Sequence, residues 1–334
     1  LDFATTGVGA NLTATATTGT ITDTGALTVG GAGSFTTAQN NQAITLDTTT
    51  NAITGAVTFT TNGTTGNVTI DNGTTALDFA ASSIDGSLTA TSGNVGGITD
   101  SGTVTVTGAG SFTTDANSGV LNLNQLAVTG ALTLNTNGTG TATIVNATAI
   151  DLAANTTIGG ATSITATTGN ITDSGTFTVG AGGATFVTTA NNATIALGTL
   201  AVTGDITLTT NDDAGADASA SITNATGISF GASTVDGALT ATATTGNITD
   251  NGVLTVRGTS AFTTTQANDD ILLDQVSSFT GAVSLSTNGA TADATLINTA
   301  IALDLGTVGV GRNLIATATT GNITDSGTVT VRSE

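Results

Sequence analysis

Carboxylates are the only side chains in this sequence with enough copies to support acid–base or metal chemistry. The 334 residues include 22 Asp and one Glu against three Arg, with no His, Cys or Lys. A nucleophilic triad needs an imidazole, thiol or amine, so this composition excludes one. Neighbours such as Asp212 and Asp213 would face opposite sides of a strand, which disfavours a glycosidase-like pair. We therefore expect no enzymatic activity.

The densest group of carboxylates is the loop at residues 211–217, which contains Asp212, Asp213 and Asp217. Calcium prefers several oxygen ligands from Asp, Asn and main-chain carbonyls, and this loop offers them. The spacing matches neither the EF-hand pattern nor the nonapeptide calcium repeats. We expect no cofactor, with calcium bound by Asp212, Asp213 and Asp217 as the one candidate, and a solvated acidic loop is the favoured interpretation.

Five further aspartates recur at nearly constant spacing, each as the last residue of an Ile-Thr-Asp phrase. The short Asp side chain bonds nearby main-chain amides in turns, so we interpret these residues as structural corner positions. One Asp in every three coils would also keep like charges about 14 Å apart along a stack, because neighbouring strands are about 4.8 Å apart. The five positions are Asp23, Asp100, Asp173, Asp250 and Asp325.

The Ile-Thr-Asp phrases begin near residues 21, 98, 171, 248 and 323 and therefore define a repeat of about 75 residues. Each repeat divides into thirds of about 25 residues in which Val, Ile, Leu and Phe alternate with Thr between Gly-containing turns. Such alternation is typical of β-strands. We predict an all-β parallel β-solenoid with three short strands per coil of about 25 residues and three coils per repeat.

Residues 1–334 are expected to form a single continuous solenoid segment of about 4.5 repeats within a longer array. The absence of Pro agrees with this prediction, because Pro cannot donate to a central β-ladder. A string of immunoglobulin-like sandwiches is the alternative, since one repeat of about 75 residues could just hold such a domain. The lack of Trp and Tyr and of obvious linkers disfavours it.

The charge balance limits the classes of partner. A net charge of −20 argues against binding nucleic acid, which needs Lys and Arg to neutralise phosphates. The apolar runs are a few residues long, far below the roughly 20 that cross a bilayer. We expect neither nucleic-acid binding nor membrane insertion.

The phrases Gly-Ala-Leu-Thr-Leu at residues 130–134 and Gly-Asn-Ile-Thr-Asp at residues 169–173 resemble the repeat regions of filamentous-haemagglutinin-like bacterial surface exoproteins. That resemblance implies a right-handed parallel β-helix, an extracellular or cell-surface location, and a role as an adhesin stalk or fibre. Expected partners are further copies or repeats, joined end to end into filaments, and cell-surface glycans. A carbohydrate- or calcium-binding surface module is the alternative function.

Overall fold

The computed structural model of the protein describes residues 1–213, 215, 217–299 and 302–332. These residues form β-strands and contain no helix, so none of them provides a helix long and apolar enough to cross a membrane. Each strand pairs in parallel with a strand about one turn later in the sequence, as Ile21 does with Ile44. The predicted all-β parallel β-solenoid is therefore confirmed.

The chain divides into two compact units, residues 1–167 and 168–334. The Asp23 and Asp100 segments both lie in the first unit. Its strands are β1 (Asp2–Phe3), β2 (Thr6–Val8), β3 (Leu12–Ala16), β4 (Ile21–Asp23), β5 (Leu27–Val29), β6 (Gly33–Thr37), β7 (Ile44–Leu46), β8 (Ala52–Ile53), β9 (Val57–Thr60), β10 (Val68–Asp71), β11 (Leu77–Phe79), β12 (Ser82–Ile84), β13 (Leu88–Ser92), β14 (Ile98–Asp100), β15 (Val104–Val106), β16 (Gly110–Asn117), β17 (Leu121–Val128), β18 (Leu132–Asn137), β19 (Ala142–Asn146), β20 (Ile150–Leu152), β21 (Thr156–Ile158) and β22 (Thr162–Ala166).

The second unit has the same kind of strand sequence. Its strands are β23 (Ile171–Asp173), β24 (Phe177–Val179), β25 (Ala184–Asn191), β26 (Ile195–Val202), β27 (Ile206–Asn211), β28 (Ala220–Asn224), β29 (Ile228–Phe230), β30 (Ser233–Val235), β31 (Leu239–Ala243), β32 (Ile248–Asp250), β33 (Leu254–Val256), β34 (Ser260–Ala267), β35 (Ile271–Phe279), β36 (Val283–Asn288), β37 (Ala294–Asn298), β38 (Leu303–Val310), β39 (Leu314–Ala318), β40 (Ile323–Asp325) and β41 (Val329–Val331).

Each turn of the solenoid has two sides. One side is a single strand such as β3, and the other is a split pair of short strands such as β4 and β5, separated by a corner segment. In some turns the split pair fuses into one strand with an irregular register, as in β17 between Leu123 and Leu126. A single strand can also stack on a split pair, since β9 pairs with both β11 and β12.

The turns are shorter than predicted, with about 22 residues in each, which is still within the range of solenoid repeats. The predicted interval fails at the end of each repeat, where the strand before an Ile-Thr-Asp phrase does not stack on that phrase. The observed pairs at these four junctions are Val68 with Leu88, Ile144 with Ile164, Ile222 with Ala241 and Leu296 with Ala316. Ile98 lies on the opposite side of the turn, between Leu77 and Leu121. The positions stacked along the Ile21 side of the first unit are Ile44, Val68, Leu88, Gly110, Leu132 and Leu152.

The expectation of three coils per repeat is therefore wrong, because a repeat spans three and a half turns. In the second unit, Ile171 and Ile323 lie on one side, seven turns apart, while Ile248 lies on the other side. Successive repeats consequently exchange the single-strand and split-pair sides. The Ile-Thr-Asp phrases alternate between the two sides of a unit.

The core of each unit is a narrow column of inward side chains. Leu27, Phe35 and Val57 are fully buried, whereas the intervening Thr28 is exposed. Phe rings stack between turns in the first unit, with centroid distances of 5.7 Å for Phe35–Phe59 and 6.2 Å for Phe59–Phe79. Because the strands pair in parallel from turn to turn, the immunoglobulin-like alternative is wrong for both units.

Candidate functional site: the corners between turns

The recurrent aspartates lie at the corners, where a split pair leaves main-chain amides without a strand partner. In the first unit, Oδ1 of Asp100 accepts a hydrogen bond from the Asn124 amide (2.9 Å) and Oδ2 accepts one from the Gln125 amide (2.8 Å), both in the next turn. The carboxylate thus holds the corner above it. Corner amides are held in the same way by Asp23 (Asp47 and Thr48), Asp173 (Gly198 and Thr199) and Asp250 (Asp274 and Gln275).

Burial raises the pKa of the Asp100 and Asp250 carboxyls, and the amide hydrogen bonds only partly offset it. The two amides bound by Asp250 share Oδ1, and Oδ2 has no hydrogen-bond partner among the described residues. Asp325 lies at the end of β40 with an exposed side chain. Four of the five predicted corner positions therefore make the same contact.

The predicted separation of carboxylates along the stack does not hold throughout the first unit. Asp47 follows strand β7 and Asp71 ends strand β10, on the two turns after Asp23. Burial raises the pKa of Asp71, and repulsion from Asp115, Asp47 and Asp23 raises it further. Because the phrases alternate between sides, the expected spacing of three coils between equivalent carboxylates is also wrong.

A buried asparagine in each repeat completes the corner, a role that we did not predict for it. Oδ1 of Asn146 accepts a hydrogen bond from the Val128 amide (2.8 Å), and Nδ2 donates to the Val128 carbonyl (2.9 Å) and to the Ala149 carbonyl (3.0 Å). The side-chain amide thereby replaces a missing strand residue. The equivalent pairs are Asn72 with Ile53, Asn224 with Val202 and Asn298 with Phe279.

These four asparagines are fully buried. A sequence signal for them exists, since each stands four or five residues before an apolar-x-apolar strand such as β20. A hydroxyl has a related role where a single strand is followed by a split pair: Oγ of Ser82 accepts from the Phe59 amide at 3.0 Å, and Oγ of Ser233 accepts from the Leu208 amide at 3.0 Å.

The predicted calcium loop contains Asp212, Asp213 and Asp217, whose side chains make different contacts. Oδ2 of Asp212 accepts a 3.4 Å hydrogen bond from the Asp217 amide, while Oδ2 of Asp213 accepts one from Nδ2 of Asn191. Asp212 is buried, whereas Asp213 and Asp217 are exposed. No group of three acidic side chains among the described residues is placed to hold a metal ion. Calcium binding by the loop stays a prediction.

Two of the three arginines pair with an aspartate one turn away. Arg257 lies 3.3 Å from Asp236, and Nε of Arg312 donates to Oδ1 of Asp293 at 2.9 Å. The Arg312 guanidinium holds the pKa of Asp293 at about 2. These cations therefore belong to contacts within the second unit.

The corner contacts recur because the sequence is repetitive, and the repeats match a family model. The family model described as "Repeats of unknown function (DUF5649)" matches residues 1–60, 65–120, 215–286 and 291–333, which is well over half of the chain. No curated protein and no solved structure matches the sequence. The chain, a repeated β-solenoid scaffold, therefore belongs to the DUF5649 repeat family.

Proposed function

We propose that this chain is a non-catalytic structural segment of an extracellular fibre or adhesin stalk. The observation that carries the proposal is that the recurrent polar residues hydrogen bond to the main chain of neighbouring turns. Asp100 and Asn146 direct their hydrogen-bonding groups at the main chain of adjacent turns. Residues that recur in this way serve the stacking of turns, which is what a structural repeat requires.

The surface location is supported by composition and by the likeness to filamentous-haemagglutinin-like exoproteins. A net charge of −20 opposes lateral aggregation of neighbouring fibres by self-repulsion. Antibodies raised against the chain should label intact, unpermeabilised cells that express the parent protein. Labelling that requires permeabilisation would contradict the surface location.

Self-association end to end is the expected mode of partnership, since an open β-ladder can pair with another strand. Negative-stain electron microscopy of the purified chain should show filaments, with a turn spacing of about 4.8 Å in fibre diffraction. Only single particles, at concentrations where other fibre segments assemble, would contradict self-assembly.

A further inference from the structure

A shallow notch recurs beside one corner in each unit. In the first unit it encloses about 180 Å³, and in the second about 210 Å³. The two notches have equivalent linings, so the feature belongs to the repeat and not to a local irregularity. The first is lined by Thr103, Gln125, Leu126, Val145, Ala147 and Thr167; the second is lined by Thr176, Thr199, Leu200, Thr223, Ala225 and Thr244.

The notch arises where a turn with a corner is followed by a turn with a single strand. The single strand lacks the residues of the corner segment, so a recess remains above the exposed corner. Its floor is fixed by main-chain bonds: the Ala147 amide donates to the Leu126 carbonyl (2.7 Å), and the Ala225 amide donates to the Leu200 carbonyl (2.8 Å). The recess is therefore preformed.

The chemistry of the lining is neutral. In the part of the chain that the structure describes, the hydroxyls of Thr103, Thr176 and Thr223 make no intramolecular hydrogen bond, while Leu126 and Leu200 supply a small apolar floor. The lining contains no charged side chain, and the neighbouring carboxylate of Asp173 already binds two amides. An anion would be repelled by a chain of net charge −20, and a cation would lack ligands.

We propose that these two corner notches each bind one neutral sugar unit of a glycan. Free hydroxyls around a small apolar floor, joined in the first notch by the Gln125 side-chain amide, suit a polyhydroxylated ring. The volumes lie below the roughly 300 Å³ typical of drug-sized pockets. The inference goes beyond the scaffold function and does not depend on it. Because the Phe rings of the core are unavailable for stacking, a single notch has millimolar affinity.

The other repeats provide a built-in comparison. The position of Thr103 and Thr176 in the Ile-Thr-Asp-x-Gly-Thr phrase is occupied by Ala26 in the first repeat and by Val253 in the fourth. Val253 is exposed and cannot hydrogen bond to a sugar. The fold thus tolerates Val at this position. The fifth phrase carries Thr328, which lies outside both notches, so Thr103 and Thr176 are the Thr residues of this position that line them.

Saturation-transfer NMR of the full chain tests the proposal with the methyl glycosides of glucose, galactose, mannose and N-acetylglucosamine at millimolar concentration. At least one should receive saturation from the protein. The double variant Thr103→Val and Thr176→Val, which introduces the residue found at position 253, should weaken binding about fivefold to tenfold because one hydrogen bond per site is lost.

A second double variant, Ala147→Phe with Ala225→Phe, fills both notches and should abolish the signal. The matched control, Thr13→Val with Thr240→Val, changes exposed threonines on strands β3 and β31, outside both notches, and should leave binding unchanged. Circular dichroism verifies the fold of every variant. The proposal is overturned if no glycoside binds, or if the Thr103 and Thr176 variant binds as well as the parent.

Discussion

At the scale of single residues, two side chains solve one problem of this fold. A split strand pair leaves corner amides that find no carbonyl acceptor on a neighbouring strand. An unpaired buried amide costs about 1–3 kcal/mol. The Asp100 carboxylate accepts two such amides from below, and Asn146 supplies both a donor and an acceptor from above. A carboxylate suits the site with amide donors alone, whereas a carboxamide suits the site where a carbonyl must also be paired.

The substitution Asp100→Ala should lower the free energy of unfolding by about 2–4 kcal/mol, because the Asn124 and Gln125 amides lose charge-assisted acceptors. Hydrogen-exchange mass spectrometry should show faster exchange in a peptide covering residues 121–128. The control Asp325→Ala changes an exposed side chain in the same sequence phrase and should have little effect. Equal destabilisation by both substitutions would contradict the corner role.

Acidification should have opposing effects on stability. Burial raises the folded-state pKa of Asp100 and Asp250 above the ordinary 3.8, so the folded state takes up these protons first. Their contribution to the free energy of unfolding therefore rises as the pH falls through their folded pKa values. The pKa of Asp293 is lowered to about 2, so its contribution is present above pH 3.8 and is lost as the pH falls through 2.

Thermal unfolding measured by circular dichroism from pH 7 to pH 2 should accordingly show a maximum in the acidic range followed by a decline. The variant Arg312→Ala should reduce the decline between about pH 4 and pH 2, since it removes the partner of Asp293. A melting temperature that falls steadily from pH 7 downward would contradict the raised pKa values.

At the scale of elements, each strand has one buried and one outward face, and stability is expected to come from side chains stacked between turns. Phe59 is fully buried between Phe35 and Phe79 on its side of the first unit. Interior Phe side chains contribute both burial of apolar area and close packing. A turn without its Phe would leave a cavity that the rigid ladder cannot close.

The substitution Phe59→Ala should destabilise the first unit by about 3–5 kcal/mol. Phe3, which is only half-buried and contacts Phe35 at a centroid distance of 6.2 Å, provides the comparison. Denaturant unfolding followed by circular dichroism should show a clearly smaller loss for Phe3→Ala. Similar losses for both variants would mean that stacking between turns does not govern stability.

The strand type, the parallel stacking and the corner aspartates could be predicted from the sequence, because alternation and the Asp23 to Asp100 interval are visible there. The turn length could not, since strands β10 and β13 contain different residue patterns and yet stack. The role of Asn146 was not predicted, because Asn is also common in surface loops. The sequence alone does not distinguish a buried side-chain amide that bonds the main chain from an exposed one. The notch beside Ala147 could not be predicted either, because it depends on which strands stack on each other. A repeat length averaged over the whole chain does not give that pairing.

At the scale of the molecule, the number of turns per repeat is a half-integer within each unit. Asp100 is followed by a corner at residues 124–125, and Asp23 is followed by a corner at residues 47–48. Because the contacts are equivalent, removing one whole repeat should preserve the match between each carboxylate and its corner. Removing a single turn should destroy the match.

Deletion of residues 24–100 should therefore give a shorter chain that still unfolds cooperatively, since Asp23 would then meet the amides of Asn124 and Gln125. Deletion of residues 24–46, one turn in register, should destabilise the chain, because the Asp23 carboxylate would face strand β10 where no corner amide is available. Circular dichroism during denaturation compares the two. If the one-turn deletion is as stable as the whole-repeat deletion, the match between each carboxylate and its corner amides does not govern stability.

The exchange of sides after every repeat also determines what gene duplication does to this protein. Within the second unit, a residue that occurs once per repeat lies on one side of the solenoid near Ile171, on the opposite side near Ile248, and on the first side again near Ile323. Gaining an odd number of copies would reverse the surface that downstream residues present, while an even number would restore it. Whether the number of added repeats is odd or even therefore determines which side of the solenoid the downstream residues occupy.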